Sequence, residues 1–169
     1  MNKKIFLIGS MGSGKSTIGR LLAKKLNLPH YDLDTMIEKQ EEKTISEIFQ
    51  TYNEEYFRDL ESKALAKYSM LEKFVISTGG GTVLSEENQK IFKIGFVVYL
   101  SISLDAQYHR IKNRTHRPLV ANKDIKTTIK NLDDIRGKIY QKVSNVEVDV
   151  SNLDKEDAVS YTHLTLPTN

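Results

Sequence analysis

The residues that constrain this chain most are Gly9-Ser10-Met11-Gly12-Ser13-Gly14-Lys15-Ser16, which fit G-x-x-x-x-G-K-[ST] in full. That pattern carries a mechanism where a buried strand runs into it and a helix opens from it. Both flanks are present: Lys4–Ile8 is apolar from Ile5 onward, and Ile18, Leu21, Leu22 and Leu26 then recur at helical spacing. The glycines let backbone N–H groups turn in around phosphate oxygens, and the helix N-terminus adds its partial positive charge. Gly12, Ser13 and Gly14 are thus expected to cradle a nucleoside triphosphate. Lys15 would reach its β- and γ-phosphates, and the Ser16 hydroxyl would hold Mg²⁺. A glycine-rich turn with a chance lysine is the alternative, and the two flanking elements weigh against it.

Further along, Phe74–Ser77, Phe96–Ser101 and Val146–Val150 read as strands, with a shorter candidate at His30–Asp34. Between them, Phe57, Leu60, Ala64, Tyr68 and Leu71 keep helical spacing, as do Ile125, Ile129, Leu132, Ile135, Ile139 and Val143. Strands alternating with helices of this length predict an α/β fold whose parallel sheet is covered on both faces. Against a prior of ~150 residues per domain, 169 residues with 39% hydrophobic content fit one domain with one real core. The net charge of +3 is no basic coat, so nucleic-acid binding is not expected. With no cysteine, a disulfide framework, zinc thiolate site or cysteine nucleophile is impossible. The apolar run after Lys3-Lys4 stops at Gly9, short of the ~7–15 residues of a signal peptide core. No segment approaches the ~18 apolar residues of a membrane span. A cytoplasmic protein without membrane partners is expected, and since nothing demands an interface, a monomer.

What accompanies the phosphate loop narrows the class. A regulatory GTPase needs Asp-x-x-Gly followed later by Asn-Lys-x-Asp. Here Asn122-Lys123-Asp124 is one residue short, and the only Asp-x-x-Gly, Asp134–Gly137, follows it inside a helical pattern. A Walker B aspartate should end a neighbouring apolar strand, yet Phe74–Ser77 runs into Thr78-Gly79-Gly80-Gly81 and Phe96–Ser101 carries no carboxylate. The remaining acids are Asp32 and Asp34, which strand alternation puts on one side, facing the crevice at the C-terminal end of a parallel sheet. The competing reading makes Asp34 the cap of a helix from Thr35, with Thr35 and Glu38 spaced as a capping box. The missing Walker B acid favours the functional reading. Arg110 to Asn122, basic and broken by Pro118, reads as a mobile loop.

Taken together, Gly9–Thr17, Asp32-Leu33-Asp34, Phe57-Arg58-Asp59-Leu60-Glu61, Ser77–Gly81, Arg117-Pro118-Leu119 and Arg136 resemble the shikimate kinase family, in its order, from Lys4 to about Val150. The resemblance implies a three-layer α/β/α P-loop kinase fold, a five-stranded parallel sheet in the order 2-3-1-4-5, and a mobile lid at about 112–123. It implies transfer of the ATP γ-phosphoryl group to the 3-hydroxyl of shikimate in aromatic amino-acid biosynthesis, with Mg²⁺ as cofactor. Shikimate offers one carboxylate and three ring hydroxyls. By resemblance, Arg58 and Arg136 clamp the carboxylate, for which guanidinium forks are suited. Glu61 holds Arg58 in register, and Gly79, Gly80 and Gly81 bring backbone N–H groups close. Asp34 orients the attacking hydroxyl, Asp32 holds Mg²⁺ through water, and Thr17 extends the phosphate site. Arg117 swings over the transferring phosphoryl group, and Arg110 stacks on adenine.

Singly, several of these residues have plainer readings. Arg58 could be a surface arginine paired with Glu61, Arg136 a snorkelling stem beside Leu132 and Ile135, and Gly79–Gly81 a turn before Ser85. Arg114 takes no role, and His109 and His116 read as solvated. A gluconate kinase of the same fold is the nearest alternative, and a non-catalytic ATP-binding regulator the next. At the end of the chain, Val159 to Thr168 resembles translated adapter sequence. The native domain is therefore expected to be 1–158, with 159–169 a non-native tail and the native C-terminus missing.

Overall fold

The computed structural model describes residues 3–112 and 124–167. The expected lid, Arg114, His116 and Arg117 therefore lie outside the described residues, apart from Lys112 at the lid's edge. In chain order the elements are β1 (Lys4–Ile8), α1 (Lys15–Leu26), β2 (His30–Asp32), α2 (Leu33–Glu41), α3 (Ile45–Thr51), α4 (Glu54–Ser69) and β3 (Phe74–Ser77). A 3₁₀ turn at Thr82–Leu84 follows, then α5 (Glu86–Phe92), β4 (Phe96–Ser101), α6 (Leu104–Ile111), α7 (Ile125–Val143), β5 (Val146–Asp149) and α8 (Lys155–Thr165).

All four strand pairings are parallel and give the order β2-β3-β1-β4-β5, the order the resemblance implies. β1 shows why the sheet is covered twice. Phe6 and Ile8 point into one core with Leu33, Ile37, Leu65, Phe92 and Tyr140, while Ile5 and Leu7 point into the other with Ile18, Leu22 and Ala158. Phe6 anchors the first core edge-to-face against Phe74 and Phe92, at 5.1 and 5.2 Å between ring centres. Central strands buried on both faces must be apolar through their middles, as β1, β3 and β4 are apart from Lys4, Ser77 and Ser101 at their ends. The phosphate loop leaves the C-terminal end of β1 at the centre of this sheet, where the strand order reverses and ligands of open α/β sheets bind. Among the described residues no helix is long and apolar enough to cross a membrane.

The structure corrects several local expectations. β2 ends at Asp32, so Asp34 sits in the first turn of α2 and not on the strand. The cap is Asp32, whose Oδ1 accepts from the Thr35 N–H at 3.1 Å. There is no capping box at Thr35; Glu38 instead accepts from the Ile45 N–H at 3.0 Å, and the box is Thr44 with Glu47 on α3. β5 stops at Asp149, although Val150 stays buried and donates to the Ser101 carbonyl. On α7 the buried face runs through Ile129, Arg136 and Tyr140, leaving Ile135 61% exposed. The 3.6-residue period through Ile129 selects Arg136, which simple apolar counting passes over. Near the C-terminus, α8 buries Ala158, Val159 and Thr162, and Leu166 joins the same core as Ile18 and Leu22.

A buried polar chain ties the phosphate loop's helix to the sheet. The Ser77 hydroxyl donates to the Lys15 carbonyl at 2.8 Å and meets His30 Nε2 at 2.8 Å. Burial pushes the His30 imidazole below its ordinary value, with Asp32 opposing and Arg20 adding to the shift. Gly19 makes room for this chain, since a Cβ there would stand 2.2 Å from Ser77 Oγ and 2.7 Å from His30 Nε2. In an ordinary helix, Gly→Ala stabilises by about 1 kcal/mol. Gly137→Ala on α7, where a Cβ meets only the tip of Asp133, should follow that rule. Gly19→Ala should reverse it, destabilising by about 1–3 kcal/mol through overpacking. Thermal denaturation of both variants checks this, and a raised Tm for Gly19→Ala would contradict it.

Candidate active site

Gly12 and Gly14 take left-handed backbone angles, φ 84° and 89°, which only glycine adopts without strain. These angles curl the loop so that the Gly12 and Gly14 N–H groups donate to nothing among the described residues. Ser13 is fully buried beneath it. Lys15, itself buried, folds back so that Nζ donates to the Gly9 and Ser10 carbonyls at 2.7 and 3.0 Å. Ser16 and Thr17 are exposed on the first turn of α1, and the Ser16 hydroxyl donates to Asp32 Oδ2. The expected metal pair, one oxygen from α1 and one from the end of β2, is thus in contact.

α6 braces the loop from the other side. Gln107, 2% exposed, donates from Nε2 to the Met11 carbonyl at 2.8 Å. Arg110 donates to the Gly12 carbonyl at 3.1 Å and to the Val150 carbonyl at 2.7 Å. Its guanidinium therefore lies between the phosphate loop and the turn after β5, not in solvent. Sequence reasoning missed Gln107, and no local signal marks it, because its partner is 96 residues away.

Beside the loop opens a cavity of about 530 Å³. Ser16, Asp32, Asp34, Arg58, Glu61, Gly79, Gly80, Gly81 and Arg136 all line it, so the structure gathers the expected metal and substrate residues in one place. Thr35, Glu38, Ile45, Phe49 and Phe57 complete the walls. Sequence reasoning missed α3, which contributes Ile45 and Phe49. The spacing of Ile45, Ile48 and Phe49 behind a Thr44/Glu47 capping box was the signal that could have found it.

On the arginine side of the cavity the charges are arranged around a buried carboxylate, Glu61. Glu61 is 1% exposed, and its Oε1 accepts from Arg58 Nη1 at 3.0 Å. Arg58 Nη2 reaches the half-exposed Glu54 at 3.3 Å. Burial is the largest single influence on Arg58 and opposes its charge, but Glu61 and Glu54 together hold the guanidinium above its ordinary value. Arg136 is 4% exposed. Burial pulls its guanidinium below the ordinary value, and the neighbouring Arg58 adds to that pull while Tyr140 and Glu61 oppose it. The Nε atoms of both arginines are buried with no acceptor among the described residues, and Glu61 Oε2 is buried there with no donor.

The glycines make this close assembly possible. A Cβ on Gly79 would stand 2.5 Å from Glu61 Oε2 and 3.2 Å from Asp34 Oδ1. One on Gly80 would stand 3.1 Å from Arg136 Nη1, and one on Gly81 2.5 Å from Arg58 Nη1. The N–H groups of Gly80 and Gly81 donate to nothing among the described residues. The cavity therefore offers two clustered guanidinium groups, free backbone donors, the Asp34 carboxylate toward the phosphate loop, and apolar walls at Ile45, Phe49 and Phe57. Such a set has the chemistry to take a small anion that also carries hydroxyl groups.

Comparison with known proteins leads the same way. A family model described as shikimate kinase matches residues 11–166. The shikimate kinase of Rippkaea orientalis is 38% identical over 164 residues, covering 97% of this chain and 88% of that protein. That of Legionella pneumophila is 41% identical over 152 residues, covering 89% and 87%. Among solved structures, shikimate kinase from Acinetobacter baumannii in complex with shikimate superposes with a TM-score of 0.93 at 30% identity, covering 96% of this chain and 92% of that one. The Aquifex aeolicus enzyme gives 0.83 at 38% identity, covering 95% and 94%. A deoxyadenosine kinase from M. mycoides, 19% identical with a TM-score of 0.60, shares the fold alone. With a family model spanning nearly its whole length and relatives near 40% identity, this chain belongs to the shikimate kinase family.

Proposed function

We propose that this chain transfers the γ-phosphoryl group of ATP to the 3-hydroxyl of shikimate, releasing ADP and shikimate 3-phosphate. The observation that carries the reading is the single cavity in which Arg58, Arg136 and Gly79–Gly81 face Asp34, next to the phosphate loop. Arg58 and Arg136 grip the shikimate carboxylate, each contributing donors that the fold leaves unspent. Glu61 fixes the Arg58 fork, and Ile45, Phe49 and Phe57 exclude water from the ring. Asp34 accepts a hydrogen bond from the 3-hydroxyl and takes its proton. The hydroxyl oxygen bonds to the γ-phosphorus as the bond to the β-γ bridging oxygen breaks, and ADP leaves. Lys15 and the N–H groups of Gly12, Ser13, Gly14, Ser16 and Thr17 hold the phosphates, and Arg110 borders the adenine. Arg117 comes over the transferring group from outside the described residues. Phosphoryl transfer depends mainly on such positioning and charge stabilisation.

The residues also fit Mg²⁺. Ser16 and Asp32 supply hard oxygen donors already in contact. Among the described residues no cluster of three or more His, Cys, Asp or Glu side chains could hold a metal by itself. That suits an ion that arrives on the nucleotide and keeps several waters. Ser16 would hold it directly and Asp32 through water, and when bound it neutralises charge on the β- and γ-phosphates. The reading places a monomeric enzyme in the cytoplasm, where ATP is available.

The test is a coupled assay of ADP release with shikimate, quinate and gluconate in parallel. Turnover with shikimate is expected, and turnover with gluconate but not shikimate would overturn the reading. Asp34→Asn should lower kcat by about 10²–10⁴ with ATP KM unchanged, the range for losing a general base. Near-normal kcat would remove Asp34 from the chemistry. Gly81→Ala should push the Arg58 guanidinium out of place and raise shikimate KM by roughly 10–100-fold, the worth of one or two charged hydrogen bonds. Because the displaced atoms are the tip of a flexible side chain, Tm should barely move. An unchanged KM would show that Arg58 is not placed by the glycine.

A further inference from the structure

Tyr140 lies one turn beyond Arg136 on α7, fully buried in the core below the substrate cavity. Its ring packs on Tyr99 of β4 at 5.0 Å between centres, which fixes its position against the sheet. Its hydroxyl donates to the Gly80 carbonyl, a partner 60 residues away. A phenylalanine would fill the same volume in the core, so the hydroxyl has to be explained by its polar neighbours, the Gly80 carbonyl and the Arg136 guanidinium. What the hydroxyl does is grip one peptide group of the glycine loop.

That peptide is the one joining Gly80 to Gly81. A trans peptide is planar, with its C=O and N–H antiparallel, and the described chain has no cis bonds. Holding the Gly80 oxygen therefore also sets the direction of the Gly81 N–H, one of the unspent donors of the cavity. Gly80 is the residue that abuts Arg136 Nη1, and Gly81 the one that abuts Arg58 Nη1. Resting on the functional reading above, we infer that Tyr140 is a positioning residue for the shikimate clamp. By locking the Gly80–Gly81 peptide it holds the seats of both guanidinium groups and aims the Gly81 N–H at the substrate. It touches neither substrate nor nucleotide.

The test pairs Tyr140→Phe with Tyr99→Phe, two variants that each delete one hydroxyl from the same packed ring pair. Only the first removes the bond to Gly80, and with it the phenol's support of Arg136, so both effects fall on the clamp. KM and calorimetric Kd for shikimate and for ATP are measured with Tm on each protein. Tyr140→Phe should raise the shikimate KM and Kd about tenfold, the worth of one buried hydrogen bond. Its ATP constants should stay within about twofold, and Tyr99→Phe should change neither ligand. The inference is overturned if Tyr140→Phe leaves shikimate binding unmoved, if both variants weaken it alike, or if ATP weakens in parallel. It is also overturned if Tyr140→Phe fails to fold while Tyr99→Phe folds, since the hydroxyl would then hold the core and not the loop. An unsubstituted chain that binds no shikimate is a failure of the functional reading. A normal unsubstituted chain with an unmoved Tyr140→Phe is the failure of this inference.

Discussion

Two guanidinium groups, Arg58 and Arg136, are held close together beside one deeply buried carboxylate, Glu61, and the rest of the site depends on that arrangement. A buried charge is costly unless paired and hydrogen-bonded. Arg58 is paired; Arg136 is pressed by burial and by Arg58, while the Tyr140 phenol and Glu61 favour its charge. An incoming carboxylate relieves this arrangement, because it adds a negative charge beside Arg136 and acceptors for the spare N–H groups. The site is built to be completed by an anion.

The sheet makes such a cluster affordable to the fold by dividing the labour between its two sides. β1 carries the phosphate loop out of the centre of the sheet, and β3 beside it carries the glycine loop, so nucleotide and acceptor sites open from adjacent strand ends. Helices α2, α3 and α4 build the acceptor side, while α6 braces the phosphate loop through Gln107 and Arg110. Asp32 joins the halves. It caps α2 with one carboxylate oxygen and accepts from Ser16 with the other. Its two oxygens therefore combine a helix cap, which the sequence offers as the competing reading of Asp34, with the contact to Ser16 that the expected metal role of Asp32 requires.

Residues whose partners are near in sequence, or whose motif has a stereochemical reason, were legible. The phosphate loop, the Arg58–Glu61 pair at helical spacing, the triple glycine and the sheet's strands all fall in this group. The β2–α2 boundary was not, since alternation over five residues cannot show that Asp32 turns the chain into a helix. Arg136 was legible as a candidate only through resemblance, because an arginine on an apolar stripe more often snorkels than enters a core. Tyr140, Gln107 and Phe49 were illegible as site residues. Each looks like an ordinary helix residue, and its meaning lies in a distant partner or in the wall it supplies: Gly80, Met11 and the cavity. Long-range contacts of this kind leave no trace in local spacing.

The central claim is that a negative charge on the acceptor completes the arginine cluster. The most direct measurement compares the dissociation constant of shikimate with that of its neutral analogue, in which the carboxylate is replaced by a hydroxymethyl group. Loss of the charged hydrogen bonds from two guanidinium groups predicts binding weaker by about 100-fold or more, with every ring hydroxyl still available to Asp34. Comparable affinities for the two compounds would contradict the account.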